Sequence, residues 1–97
     1  MKQNMTYIIR EAFLDRVPKD GVKTDSSHVK RQLLHLGLTD DVFMQSMRQY
    51  PATDIRFYGR GVRYTLRVVH QGRVIWLDFQ AEKDQQGIRF VAKAIRL

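Results

Sequence analysis

Two alternating runs of nine residues, VRYTLRVVH and RVIWLDFQA, meet at Gln71-Gly72 and fill positions 62–81. Glycine in the second central position suits a two-residue hairpin turn, where the backbone needs positive φ. With that turn, His70 faces Arg73 and the register follows by counting. Val62, Tyr64, Leu66 and Val68 then oppose Ala81, Phe79, Leu77 and Ile75 on one face. The other face pairs Arg63 with Gln80, Thr65 with Asp78, Arg67 with Trp76 and Val69 with Val74. The first face is a core wall; the second mixes cations, an acid, an amide and an indole. A one-residue slip would drive both arginines into the core, so the pairing is strongly specified.

Ahead of this hairpin the apolar period is helical. Positions 5, 8, 9, 12, 13 and 17 make a stripe over residues 5–17, with Asn4 or Thr6 as N-cap, and Pro18-Lys19-Asp20-Gly21 ends it. Val22-Lys23-Thr24 reads as extended. Asp25, Ser26 and Ser27 offer caps for a helix over 28–36, and Gly37 stands where a C′ glycine belongs. Thr39-Asp40-Asp41 starts another helix, in which Phe43, Met47 and Tyr50 recur on one side before Pro51 stops it.

After Pro51 the period becomes 2. Ile55 and Phe57 alternate with Arg56 and Tyr58, Gly59-Arg60-Gly61 turns into the central hairpin, and residues 84–87 turn into a last strand over 88–97. Pairing Lys83 with Ile88 sets Phe90, Ala92 and Ala94 beside Ala81, Phe79 and Leu77, and on the polar face Lys93 opposite Asp78 and Arg89 opposite Glu82. The expected fold is α+β: two or three N-terminal helices (1–51) packed on one face of a four-stranded antiparallel β-meander (52–97), as one domain.

A chain of 97 residues supports one thin core. Seventeen Lys and Arg against ten Asp and Glu give a net charge of +7, and eleven of the cations are arginines, the better fork for phosphate oxygens. Such a surface attracts polyanions: nucleic acid, an anionic membrane or an acidic protein, with nucleic acid or an acidic protein preferred. There is no cysteine and no apolar run long enough to span a membrane, so the reading expects a cytoplasmic protein without a membrane partner.

The polar sheet face carries the candidate chemistry. Metal-independent RNA cleavage uses the ribose 2′-hydroxyl as nucleophile and needs a base, cations for the phosphorane and an acid for the 5′-oxygen. Arg63, Arg67 and Lys93 supply cations, Arg89 and Arg60 further phosphate contacts, and Trp76 a surface for a base. Asp78 is either the base or a structural acid neutralised by Lys93. Arg67 over Trp76 can also be a simple cation–π pair. His28 begins a helix, where the dipole favours an uncharged, accepting imidazole. Tyr58 and Tyr64 are phenols in strands, able to give a proton or merely to pack. His28, His35 and His70 lack zinc-ligand spacing, and no cofactor motif is present.

Several of these stretches resemble a known group. GVKT (21–24), Leu36-Gly37-Leu38 and LTDDVFMQSMRQY (38–50) resemble the MqsR-like toxin RNases of bacterial toxin–antitoxin pairs. The segment SSHVKRQLLHLGLTDDVF (26–43) is similar to the H-x₃-R-type helix of DUF4258-like toxin domains, with its basic residue at Arg31 or Lys30. Both belong to the barnase–EndoU–colicin–RelE group, which implies helices preceding an antiparallel sheet whose free face cleaves RNA. The resemblance spans roughly residues 21–82. It departs at Gln45, where the family's F-x-K-S-M segment has lysine. The family's strand tyrosine falls on Tyr64 or on Thr65, the latter with Arg67 for the next lysine; a later basic residue falls on Gln80 or Lys83. The resemblance implies a toxin-type endoribonuclease on single-stranded RNA, restrained by an acidic antitoxin or inhibitor. The alternatives are a non-catalytic basic binding module and an inhibitor or immunity-type protein of a mobile element.

Overall fold

Gln71 and Gly72 both take positive φ, 51° and 74°, and the strands on either side pair in the register obtained by counting. This is the geometry of a type I′ turn, whose twist matches that of the strands it joins. The computed structural model describes the backbone of residues 2–97 and the side chains from Met5 onward. Its elements are α1 (Lys2–Asp20), β1 (Lys23–Thr24), α2 (Ser27–His35), α3 (Asp40–Gln49), β2 (Thr53–Tyr58), β3 (Gly61–His70), β4 (Arg73–Asp84) and β5 (Gly87–Arg96).

The fold is α+β, three helices against one sheet, but the sheet has five strands in the order β1-β5-β4-β3-β2. The extended Lys23-Thr24 pairs parallel with Val91-Ala92, which makes the expected four-stranded antiparallel sheet a mixed one. Two residues are too short to show a period, so the pairing was not visible in the sequence.

The helix ends follow capping chemistry. Ser26 Oγ accepts from the Val29 N–H, and Thr39 Oγ1 accepts from the Val42 N–H. After α2, Gly37 (φ 71°) donates to Leu34 and Leu38 donates to Leu33, which satisfies two terminal carbonyls. α1 departs from the expectation at both ends. It begins by Lys2, so neither Asn4 nor Thr6 caps it, and it runs through Pro18 to stop at Gly21 (φ 75°). A proline late in a helix forfeits one hydrogen bond, and packing of Val17 outweighs that cost.

All three helices cover the apolar side of the sheet. Ile9, Phe13 and Val17 of α1, Val29 and Leu33 of α2, and Phe43, Met44 and Met47 of α3 join Tyr64, Leu66, Val68, Ile75, Leu77, Phe79, Phe90 and Ala92 in one core. Phe13 meets Phe79 and Phe90 edge-on at 5.7 and 5.0 Å. Ile8, counted in the stripe, is exposed. At one edge Gly61 packs so closely that a Cβ there would sit 2.2 Å from the Ala81 carbonyl. Arg16 of α1 donates to the Ile88 and Gln86 carbonyls and so holds the β4–β5 turn. None of the described helices is long and apolar enough to cross a membrane.

Two bulges set which side chains reach the uncovered face. In β2 the register shifts between Thr53 and Arg56, where Asp54 has φ 55°. Between β4 and β5 it shifts at Asp78/Phe79, so Lys93 is the extra residue and Ala94, not Lys93, lies opposite Asp78. Beyond this bulge the faces exchange. Ile95 lies opposite Leu77 and packs on the core, while Arg96 lies opposite Trp76 on the open side. The expected placements of Ala94 in the core and Lys93 against Asp78 are thereby corrected. Strict alternation would have buried Arg96 and exposed Ile95, and the bulge removes that penalty.

Candidate nucleic-acid interface

The face opposite the helices carries Arg56 and Tyr58 from β2, Arg63, Thr65, Arg67 and Val69 from β3, and Val74, Trp76, Asp78, Gln80 and Glu82 from β4. β5 adds Arg89, Lys93 and Arg96. Arg63 and Arg67 therefore share one side of the sheet, and no helix covers them.

At the centre of this face is a cup of about 350 Å³, lined by Asp54, Arg56, Tyr58, Arg63, Tyr64, Thr65, Asp78 and Arg96. Asp78 is its ordered anion. Asp78 Oδ1 accepts from Arg96 Nη2 at 2.8 Å and from Thr65 Oγ1 at 3.1 Å. Oδ2 has no hydrogen-bond partner among the described residues, and the carboxyl is about one-third exposed. One oxygen is thus fixed, and the residue lines the cup. Arg63 donates to the Gln80 side chain at 3.3 Å and lies 5.7 Å from the Tyr58 ring centroid. Arg56 approaches Asp54 only to 3.9 Å.

Beside the cup, Arg67 lies over Tyr50 at 4.9 Å from its ring centroid. Tyr50 caps α3 with extended backbone (φ −129°, ψ 137°) and leaves the apolar stripe to which it was assigned. The expected Arg67–Trp76 cation–π pair is replaced by Arg67–Tyr50. Each such stack on an exposed ring contributes ~0.5–1 kcal/mol. It also leaves the edge N–H groups of the guanidinium free for phosphate oxygens.

The remaining predicted residues divide. Lys93 pairs with Asp25 at 3.1 Å and approaches Glu82 at 4.0 Å; Arg89 meets Glu82 at 2.9 Å. Their charges are answered within the protein. Arg60 is exposed in the Gly59-Arg60 turn, and its carbonyl accepts from the Lys83 N–H at 3.3 Å. Trp76 is 36% exposed, opposite Arg67. Tyr64 is withdrawn: its ring is buried against Phe79, its hydroxyl has no partner, and burial raises its pKa well above the ordinary value. Its strand position faces the helices, so it enters the cup only as part of the wall and offers RNA little surface.

His28 is exposed on α2, which packs against β1 and β5. β1 lies three strand spacings from β3, about 14 Å, so His28 is not brought to Arg63 and Arg67. Gln45, where the resembling family has lysine, lines a separate cleft between α1 and α3 with Asp40, Asp41 and Arg48. Thr65, the second candidate for the family's strand tyrosine, is in the cup; Gln80 faces Arg63, and Lys83 is near the end of β4.

Arg56, Arg96 and Tyr50 belong to this face and were not among the predicted site residues. Arg56 was legible, since the alternation puts it beside Tyr58. Arg96 required the bulge.

No family model matches the chain, and no curated protein or solved structure matches it at a significant level. The side chains of the open face carry the functional reading.

Proposed function

We propose that the open sheet face binds single-stranded RNA and that the cup cleaves it, as a toxin-type endoribonuclease acting without a metal. One observation carries the reading: an ordered carboxylate with a free oxygen lies among three arginines in an open cup. In this scheme Asp78 Oδ2 takes the proton from the ribose 2′-hydroxyl. The 2′-oxygen forms its bond to phosphorus, and the bond from phosphorus to the 5′-oxygen breaks. Tyr58 gives its phenolic proton to the departing 5′-oxygen. The products are a 2′,3′-cyclic phosphate and a 5′-hydroxyl. Arg63 and Arg56 stabilise the extra charge on the phosphorane, as donors aimed at developing charge do. Arg96 and Thr65 position Asp78 through the two hydrogen bonds to its Oδ1.

The resemblance to MqsR-like and DUF4258-like toxins supports the same substrate class, and with it an acidic antitoxin that covers the basic face. A second reading is favoured by the 2.8 Å contact of Arg96 with Asp78. A carboxylate held in that ion pair serves as a structural acid, and the face then grips RNA without cutting it. The test is incubation of the pure protein with single-stranded RNA in EDTA, followed on a gel and by end-group analysis. Cyclic-phosphate ends that vanish in Asp78→Asn support cleavage. Salt-dependent binding that leaves RNA intact selects the second reading, and neither binding nor cleavage overturns both.

A further inference from the structure

On the open face, rows of side chains repeat every second residue, about 6.7 Å apart along the strands. The cup occupies the rows of Arg63–Gln80 and Thr65–Asp78. The next row reads Tyr50 under Arg67, then Trp76, then Arg96. Beyond it Val69 and Val74 lie opposite one another, 44% and 42% exposed. The face is therefore polar and charged at the cup and becomes aromatic and apolar one row further on. Trp76 is two residues from Asp78 on the same strand and the same side, one row beyond the cup.

From this juxtaposition we infer a second subsite: the base of the nucleotide next to the one in the cup stacks on Trp76, and its phosphate is held by Arg67. The inference rests on the RNA-binding reading above. It adds a direction along β3 and β4, a minimum length and a requirement for an unpaired base beside the cleaved bond. A base lying on the indole cannot also be paired and stacked within a duplex. Val69 and Val74 continue the apolar floor, which tolerates any base because every base has a π-face. Arg67, already ordered by Tyr50, loses little further freedom when it binds phosphate.

Trp76 is the one tryptophan in the chain, so its fluorescence reports this contact directly. The probe is a 2′-O-methyl RNA octanucleotide, in which the nucleophile is blocked, compared with an abasic strand of the same length. The octanucleotide should quench Trp76 on saturation and the abasic strand should not. Trp76→Ala should weaken octanucleotide binding by roughly five- to one-hundred-fold, as loss of one stacked base does. Trp76→Phe should restore most of it. Octanucleotide binding, followed by the anisotropy of an end label, with unchanged tryptophan emission overturns the subsite and leaves the RNA reading standing. No binding of labelled RNA of any length overturns the RNA reading and the subsite with it.

Discussion

The two halves of the uncovered sheet face carry similar numbers of cations and treat them differently. Toward β5, Arg89 and Lys93 are answered by Glu82 and Asp25, and the contacts close within the protein. Toward β2 and β3, Arg63 and Arg67 lie on Tyr58 and Tyr50 and have no carboxylate partner among the described residues. An aromatic ring fixes a guanidinium without neutralising it, whereas a carboxylate does both. Net charge alone does not locate a polyanion site; what the cations rest on does. On the proposed reading, the half built on rings is the one that takes a phosphate from outside.

The largest effects should come from the boundary between the halves, where Asp78 sits. Asp78→Asn and Arg63→Ala are each expected to lower RNA cleavage by ~10²–10³-fold, the scale for losing a base or a charge-stabilising donor. Arg89→Ala, in the paired half, should leave it within a few-fold. Initial rates on one single-stranded substrate in EDTA compare all three, with circular dichroism to verify folding. Equal losses from Arg63→Ala and Arg89→Ala would erase the distinction between the halves.

Affinity should divide in the same way. Arg67→Ala should weaken RNA binding by about ten-fold and reduce the slope of log K against log salt by ~0.7, one phosphate contact to a single strand. Glu82→Gln runs the experiment in reverse. It releases Arg89, converting a paired cation into a free one, while Lys93 keeps Asp25. Binding should tighten a few-fold and the salt slope should steepen. The accompanying stability loss is small, because exposed ion pairs contribute ~0.2–1 kcal/mol. A variant that binds more weakly than the parent would mean that the pairs shape the RNA site.

The legibility of the fold followed the strength of the period. Residues 62–81 alternate without a break, and every pair counted from Gln71-Gly72 is present. The helix caps at Ser26 and Thr39 and the glycine at 37 were equally readable, because each is a local hydrogen-bonding requirement. β1 was not, since two residues show no alternation and the pairing partner is some seventy positions away. The site was legible only in part. Arg63, Asp78 and Tyr58 follow from the hairpin count and the run before it. Arg96 reaches Asp78 through a bulge, which inserts one residue and leaves no mark in a period-2 reading except an arginine assigned to the core. Tyr50 was misassigned for the opposite reason: the helical stripe extends to it, but Pro51 pulls its backbone into the extended region and turns its ring to Arg67. His28 carried the right chemistry, but topology placed it at the other edge of the sheet.

The smallest effect on activity, and the sharpest contrast between the two faces, lies in the strand tyrosines. Tyr58 is half exposed in the cup, and Tyr64 is buried with its hydroxyl unpartnered. Tyr58→Phe should slow cleavage, while Tyr64→Phe should leave it unchanged. The second variant should instead stabilise the fold by about 1 kcal/mol, since an unsatisfied buried hydroxyl costs roughly 1–3 kcal/mol. The sign of its pH dependence follows from burial, which holds the folded-state pKa of Tyr64 above its unfolded value. Below pH ~10 both states keep the proton and stability is unaffected. Above it the unfolded chain ionises first, so stability falls as pH rises toward the folded-state pKa. Tyr64→Phe should remove that alkaline loss. Urea midpoints for the parent and the variant at neutral and alkaline pH measure both effects. A midpoint for Tyr64→Phe that declines as steeply as the parent's would place the hydroxyl in contact with water, and the boundary between core and open face at Tyr64 would have to be redrawn.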